Sequence, residues 1–392
     1  MKRSLQHEVV VHPVVLTVSA TGPIAATYGL VRMGYGLFLP FFVETFTISA
    51  TVSGFIFAGT SMVFCLTAGI AYFQAGFRPR LVTVAAGATA CIGSVGIAVA
   101  GNAVVFAVSV VIAGAGAGFA SPAMIKLVER NVRAGRQNLM HTIVNSGNGL
   151  GLAVAGLLAL ILGDLWRLAW VMVAAAALGA MCAVLVSDTH RTPPPAAASV
   201  RDNGMDIRPF RLPAAGAFTL GAGSAAVWVQ GRTLLQEAGG IDIRASAAAW
   251  VILGAGGAGA ALMSVWLSRR TITATWLATV TGTSAGTAVI GLFPQTIGLA
   301  YAACALFGFA FNAATSVLII WAGRILTDST AAGTSLLFIA LASGQAAGAA
   351  LMGMLIDHLG FNVAFSVAAG LCLLSGLAAL TNRAPGKLPP RV

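Results

Sequence analysis

Arg32 lies inside an apolar stretch that runs from residue 14 to 43, with Glu44 twelve residues beyond it. At 1.5 Å of helix rise per residue, that puts the guanidinium about 18 Å from the end of the stretch. An arginine at mid-depth in a membrane helix costs about 2.5–3.5 kcal/mol on insertion scales, so such a side chain faces water or protein rather than lipid. Tyr28, Arg32 and Tyr35 follow the i, i+4, i+7 spacing of one helix face. A guanidinium between two phenols suits a carboxylate, a phosphate or a similar anion, because its planar fork of donors matches paired oxygens. The competing role for Arg32 is structural, hydrogen-bonding carbonyls of a neighbouring span.

Arg232 stands in a later apolar stretch, one helical turn beyond Trp228. It reads as a second anion contact or as a gate residue. It also lies close enough to the end of its span to snorkel to the interface or to pair with Glu237 or Glu44. The amides Asn145, Asn148, Gln230, Asn312 and Gln345 also fall inside apolar stretches. Each either touches a solute or bonds between helices. His141 shares a face with Asn145 and Asn148 but reads as a loop-edge residue. None of the eleven acidic residues falls mid-stretch. A cavity holding arginine without a central carboxylate is electropositive, which favours anions over cationic drugs. It also leaves no evident mid-span carboxylate for a proton relay.

The elements that must hold these residues are membrane helices. Hydrophobic residues make up 58% of the chain and charged residues 8%, and the mean hydropathy is +0.90. About 20 apolar residues span a bilayer core, and the sequence predicts twelve such spans: 14–43, 51–73, 81–100, 103–126, 139–163, 168–187, 213–236, 245–267, 274–293, 297–322, 333–356 and 362–380. With the N-terminus in the cytoplasm, all but four of the 22 basic residues fall on cytoplasmic segments. The exceptions are Arg167 and Arg244 on the outer side and Arg32 and Arg232 within spans. The positive-inside rule therefore expects both termini in the cytoplasm, in a multi-pass protein of the cytoplasmic membrane. Lys2 and Arg3 precede the first span, which reads as a retained helix rather than a cleaved leader. The net charge of +11 is explained by orientation, and no nucleic-acid motif accompanies it. The five cysteines sit in apolar segments without metal-ligand spacing. Gly254–Gly259 lies in a span and lacks the strand-turn-helix setting of a nucleotide loop. No catalytic constellation, metal cluster or cofactor motif is present, and no obligatory protein partner is evident.

The polar stretch 188–212, with Pro193, Pro194 and Pro195, reads as a cytoplasmic linker between six-span units at 1–187 and 213–392. The halves look related: Ile48–Gly59 aligns with Ile243–Gly254 at an offset of 195 residues. Such internal symmetry is a feature of carriers whose halves rock about a shared site.

On these features the chain resembles the major facilitator superfamily. Gly69, Gly76, Arg78 and Arg80 stand where the family has a motif between spans two and three, with Phe73 at its Asp position. Gly147 and Gly151 open a glycine-rich fifth-span stretch similar to that of antiporters, with Leu152 where they carry Pro. Gly147xxxGly151 and Gly344xxxGly348 also read as small faces that let helices approach. Val110 replaces the fourth-span Arg of many drug–proton antiporters, while Arg32–Pro40 looks like the first span of many bacterial members. Arginines in spans one and seven resemble, in placement only, those of organophosphate and phosphate exchangers. The resemblance implies an all-α membrane protein of twelve helices in two pseudo-symmetric six-helix bundles, and a transporter rather than an enzyme. The expected activity is secondary transport of a small solute, an anion or acidic amphipathic compound, by alternating access. The alternative is an exporter of neutral sugars or hydrophobic drugs by proton antiport.

Overall fold

A computed structural model describes residues 13–132, 134–188, 206–263, 269–326 and 330–381. Most of the expected linker, and the C-terminal tail with its basic residues, lie outside the described residues, as do Lys2 and Arg3. The first membrane helix, α1, is continuous but changes winding: α-helical at Pro13–Ile24, π-helical at Ala25–Met33 and α-helical again at Gly34–Phe46. The rest of the first half comprises α2 (Ala50–Gln74), α3 (Pro79–Val99), α4 (Ala103–Asn131), α5 (Ala134–Leu162) and α6 (Trp166–Ser187). A 3-10 turn at Arg208–Phe210 leads into α7 (Arg211–Glu237). Then follow α8 (Ile243–Gly259), α9 (Ile272–Leu292), α10 (Ile297–Ile325), α11 (Thr330–Leu359) and α12 (Phe361–Leu374).

Local chemistry sets several of the helix starts. The Ser49 and Asn102 side chains accept from the amides of Val52 and Val105, and Asp242 accepts from those of Arg244 and Ala245. Each satisfies donors that a helix N-terminus leaves open. Among the described residues, nine helices are long and apolar enough to cross a membrane on those criteria alone. Splitting of α1 by its π segment, the shortness of α8 and the many threonines of α9 account for the helices that miss them. Large apolar side chains such as Phe55, Leu66, Ile92, Val104 and Ile161 point outward, as a lipid-facing belt requires.

Short connections alternate the helix direction. One face of the bundle therefore gathers Arg78, Arg80, Arg130, Arg208, Arg211, Arg269, Arg270 and Arg324, and is called the basic face below. The halves pack lengthwise through α2 against α11 and α5 against α8, while α1 meets α7 through its Gly34–Phe46 part. Gly36 has no room for a methyl group, which would collide with the Trp228 carbonyl of α7.

Candidate functional site

The π-helical stretch of α1 carries the site. Pro23 lacks an amide hydrogen, and Thr27 donates its hydroxyl to the Pro23 carbonyl at 2.7 Å. Both features loosen the ordinary α ladder at this point, and π segments recur at functional sites. The wider winding changes the face that the spacing predicts. Tyr28 and Arg32 share a central cavity, but Tyr35 does not join them. Its ring packs among Phe42, Phe57 and Phe106, and its hydroxyl donates to the Ser53 carbonyl at 3.0 Å. The expectation of a guanidinium between two phenols is corrected to one phenol, because residues 25–33 do not follow the 3.6-residue period.

The cavity lies between the halves, on the basic-face side of the middle. The volume open to the centres of water-sized molecules is about 50 Å³. The first half supplies Ile24, Tyr28, Arg32, Met33 and Phe64, with Ser121, Asn145 and Asn148. The second half supplies Phe311, Thr315, Phe338, Leu341, Ala342 and Gln345. Among the described residues, no acidic side chain lines it.

Arg32 is 3% exposed. One terminal nitrogen donates to Ser61 Oγ at 3.1 Å and, across the halves, to Gln345 Oε1 at 2.8 Å. The guanidinium sits over the Phe64 ring, 4.4 Å from its centroid. Phe64 in turn takes the edge of Tyr28, whose hydroxyl lies 3.0 Å from Ser121 Oγ. The Arg32 Nε–H is buried without an acceptor. Among the described residues the ion pairs are Lys126–Glu129 and Arg130–Asp188, so no carboxylate neutralises Arg32. A buried cation held by neutral dipoles and an aromatic face, with a donor to spare, is a poor structural element and a good anion receptor.

Arg232 is different. It is fully buried and lies outside the cavity lining. It donates to the Leu37 carbonyl of α1, to Ser246 Oγ at 3.1 Å and to the Ile243 carbonyl at 2.9 Å, and it rests on the Phe41 ring. It pairs with neither Glu237 nor Glu44. Trp228 and Gln230 also sit beyond the cavity. Trp228 meets Phe307 and Phe311 edge-on, while Gln230 donates to Ser53 Oγ at 2.8 Å. These residues, with Asp357 of α11 accepting from the Ala50 and Thr51 amides of α2, form the seal opposite the basic face.

The amides divide. Asn145, Asn148 and Gln345 line the cavity. Asn312 stands just behind, accepting from Asn148 Nδ2 at 3.4 Å and donating to the Gly308 carbonyl at 3.0 Å. Of the motif glycines, Gly147 and Gly151 face the backbone of α1 around Thr21 and Ala25, whereas Gly69 and Gly76 have open space about them. Arg80 donates to the Leu185 carbonyl at 3.1 Å, and Arg78 stands at the N-cap of α3. Phe73 is 72% exposed. The sequence reading missed Ser61, Phe64, Ser121, Phe311, Thr315 and Phe338. Nothing in an apolar span marks an ordinary serine or phenylalanine as cavity-facing.

Two six-helix units around a buried cavity that holds an arginine define a multi-pass membrane transporter. The family model of the Major Facilitator Superfamily matches residues 22–326. The chain belongs to that family and is a transporter rather than an enzyme. No curated protein sequence matches it. Solved structures of the same fold include a D-xylose–proton symporter, at TM-score 0.77 and 12% identity over 94% of this chain and 97% of that one. A point mutant of the nucleoside transporter NupG aligns at TM-score 0.73 and 12% identity, covering 93% and 99%. A bacterial homologue of the human lysosomal transporter Spinster, solved inward-facing and occupied, aligns at TM-score 0.71 and 14% identity, covering 94% and 95%.

Proposed function

We propose that the protein is a secondary carrier of small organic anions in the cytoplasmic membrane, working by alternating access between its two halves. The observation that carries this reading is Arg32: buried, lining the cavity, without a carboxylate partner among the described residues, and with Nε–H unsatisfied. The aromatic and aliphatic lining from Phe64, Phe311, Phe338 and Leu341 favours an anion that carries an apolar body over a bare inorganic ion. In this reading Gln345 holds Arg32 while the cavity is empty, and an incoming carboxylate takes over the guanidinium from the other half's amide. Arg232 serves as part of the seal rather than as a second anion contact, since its donors are occupied by Leu37, Ser246 and Ile243.

The excess of basic residues on one face supports a cytoplasmic basic face and cytoplasmic termini. On that orientation the contacts that Arg232, Gln230 and Asp357 make between the halves lie toward the outer side. The test is solute uptake and counterflow in vesicles containing the wild-type protein, Arg32→Lys and Arg32→Ala. The expected result is loss of anion transport by at least tenfold in Arg32→Ala and partial retention in Arg32→Lys. Wild-type rates for every accepted solute in Arg32→Ala would overturn the assignment.

A further inference from the structure

Asn148 is a second polar residue lining the cavity, and its neighbours fix which end of its amide is left without a partner. An amide side chain can usually be turned end for end without changing its shape. Here the turn is blocked through Asn312. That residue donates Nδ2 to the Gly308 carbonyl at 3.0 Å, an oxygen that only a donor can satisfy. Asn312 must therefore present Oδ1 to Asn148, and Asn148 must answer with Nδ2, at 3.4 Å. The remaining end of the Asn148 amide is an oxygen, buried and without any donor. Gly308 in turn packs against the Leu253 backbone of α8, too close to admit a Cβ, so the anchoring carbonyl is itself fixed.

Two cavity-lining residues thus each hold one unsatisfied buried atom, of opposite sense. Arg32 offers a donor at Nε and Asn148 an acceptor at Oδ1. Leaving such atoms unpaired is costly, and a solute that satisfies both relieves the cost. We infer that the carrier selects organic monoanions bearing a hydrogen-bond donor such as a hydroxyl, read by Asn148, and discriminates against the same anion without it. The charge half of this inference rests on the anion reading of Arg32; the donor half does not. The selectivity arises because a neutral acceptor, desolvated in the cavity wall, rejects an apolar group that leaves it unpaired.

The experiment is binding to the purified full-length protein in detergent or nanodiscs, by calorimetry. The probes are phenylacetate and three hydroxylated relatives that place the hydroxyl at different distances: mandelate, 3-phenyllactate and 4-hydroxyphenylacetate. Phenylacetamide and mandelamide serve as uncharged counterparts. In the wild-type protein at least one hydroxylated acid should bind roughly tenfold more tightly than phenylacetate. Asn148→Leu and Asn148→Ala should bring that ratio to within about twofold, chiefly by weakening the hydroxylated probe. Asn148→Ser, the variant closest in size and polarity, guards against misfolding of the other two.

A wild-type ratio within twofold for all three hydroxylated acids would overturn the inference, as would a ratio unchanged in every Asn148 variant or failure of all probes to bind. Equal affinity for acids and amides, with the hydroxyl preference intact, would sink the anion reading and leave the donor half standing. A charge preference without a hydroxyl preference would do the reverse.

Discussion

Asp357 offers a direct way to tilt the balance between states. Its carboxylate reaches from α11 across to the other half and accepts the Ala50 and Thr51 amides at the start of α2, at 3.2 and 2.8 Å. It acts as a cap for α2 supplied by the opposite half. Removing a capping side chain costs about 0.5–2 kcal/mol, and the favourable interaction of a carboxylate with a helix N-terminus is about 0.3–1 kcal/mol when exposed. Asp357 is exposed and Ser49 still caps Val52, so the low end applies, about 1 kcal/mol. In the alternating-access reading proposed above, this bond breaks when this end of the bundle opens, so its loss acts on the equilibrium between states rather than on folding. One kcal/mol is roughly a fivefold shift. The measurement is the distance distribution between spin labels at Gly101→Cys and Thr296→Cys, on opposite halves of the sealed face, in a cysteine-free background. Asp357→Ala should raise the population of the longer, open distance about fivefold. An unchanged distribution, with the protein still folded, would refute the idea that this bond holds the seal.

Other consequences follow from the same contacts. Arg232→Gln should lower the detergent melting temperature by several degrees, because it removes buried hydrogen bonds that tie α7 to the Leu37 carbonyl of α1 and the Ile243 carbonyl of α8; anion affinity should change less than about threefold, since Arg232 does not line the cavity. Gly36→Val should cut transport at least tenfold, because the added side chain collides with the Trp228 backbone where α1 and α7 close together; counterflow measurements would show it. The Arg130–Asp188 pair joins the ends of α4 and α6, with side chains 12% and 1% exposed. A double-mutant cycle with Arg130→Gln and Asp188→Asn, read by thermal unfolding, should give a coupling of about 1–3 kcal/mol.

The fold was legible because it rests on run length. Each span must be apolar over about 20 residues to cross lipid, and the basic connections show through the remaining composition. The site was legible only in part. Arg32, Asn145, Asn148 and Gln345 announce themselves as polar groups in apolar spans, and the structure brings all four to one cavity. Tyr35 was misplaced because an i, i+7 argument assumes α winding through a segment that is π-helical. Arg232 and Gln230 carry the same sequence signal as Arg32 and Gln345, yet their partners are Leu37, Ser246 and Ser53. Those partners come from turns of helix brought together by tertiary packing, which no spacing rule reveals. Phe64 and Phe311 look like lipid-facing or core residues until α2 and α10 are rotated into place.

Selection for negative charge by the Arg32 guanidinium, which has no carboxylate partner among the described residues, is the property on which the proposed function turns. It is tested most directly by the affinity ratio of a matched acid and amide, phenylacetate against phenylacetamide, in the wild-type protein and in Arg32→Gln. The wild type should favour the acid by tenfold or more, and Arg32→Gln should erase or invert that preference while still binding the amide. A wild-type protein that binds both alike, or a variant that keeps the full preference, would contradict it.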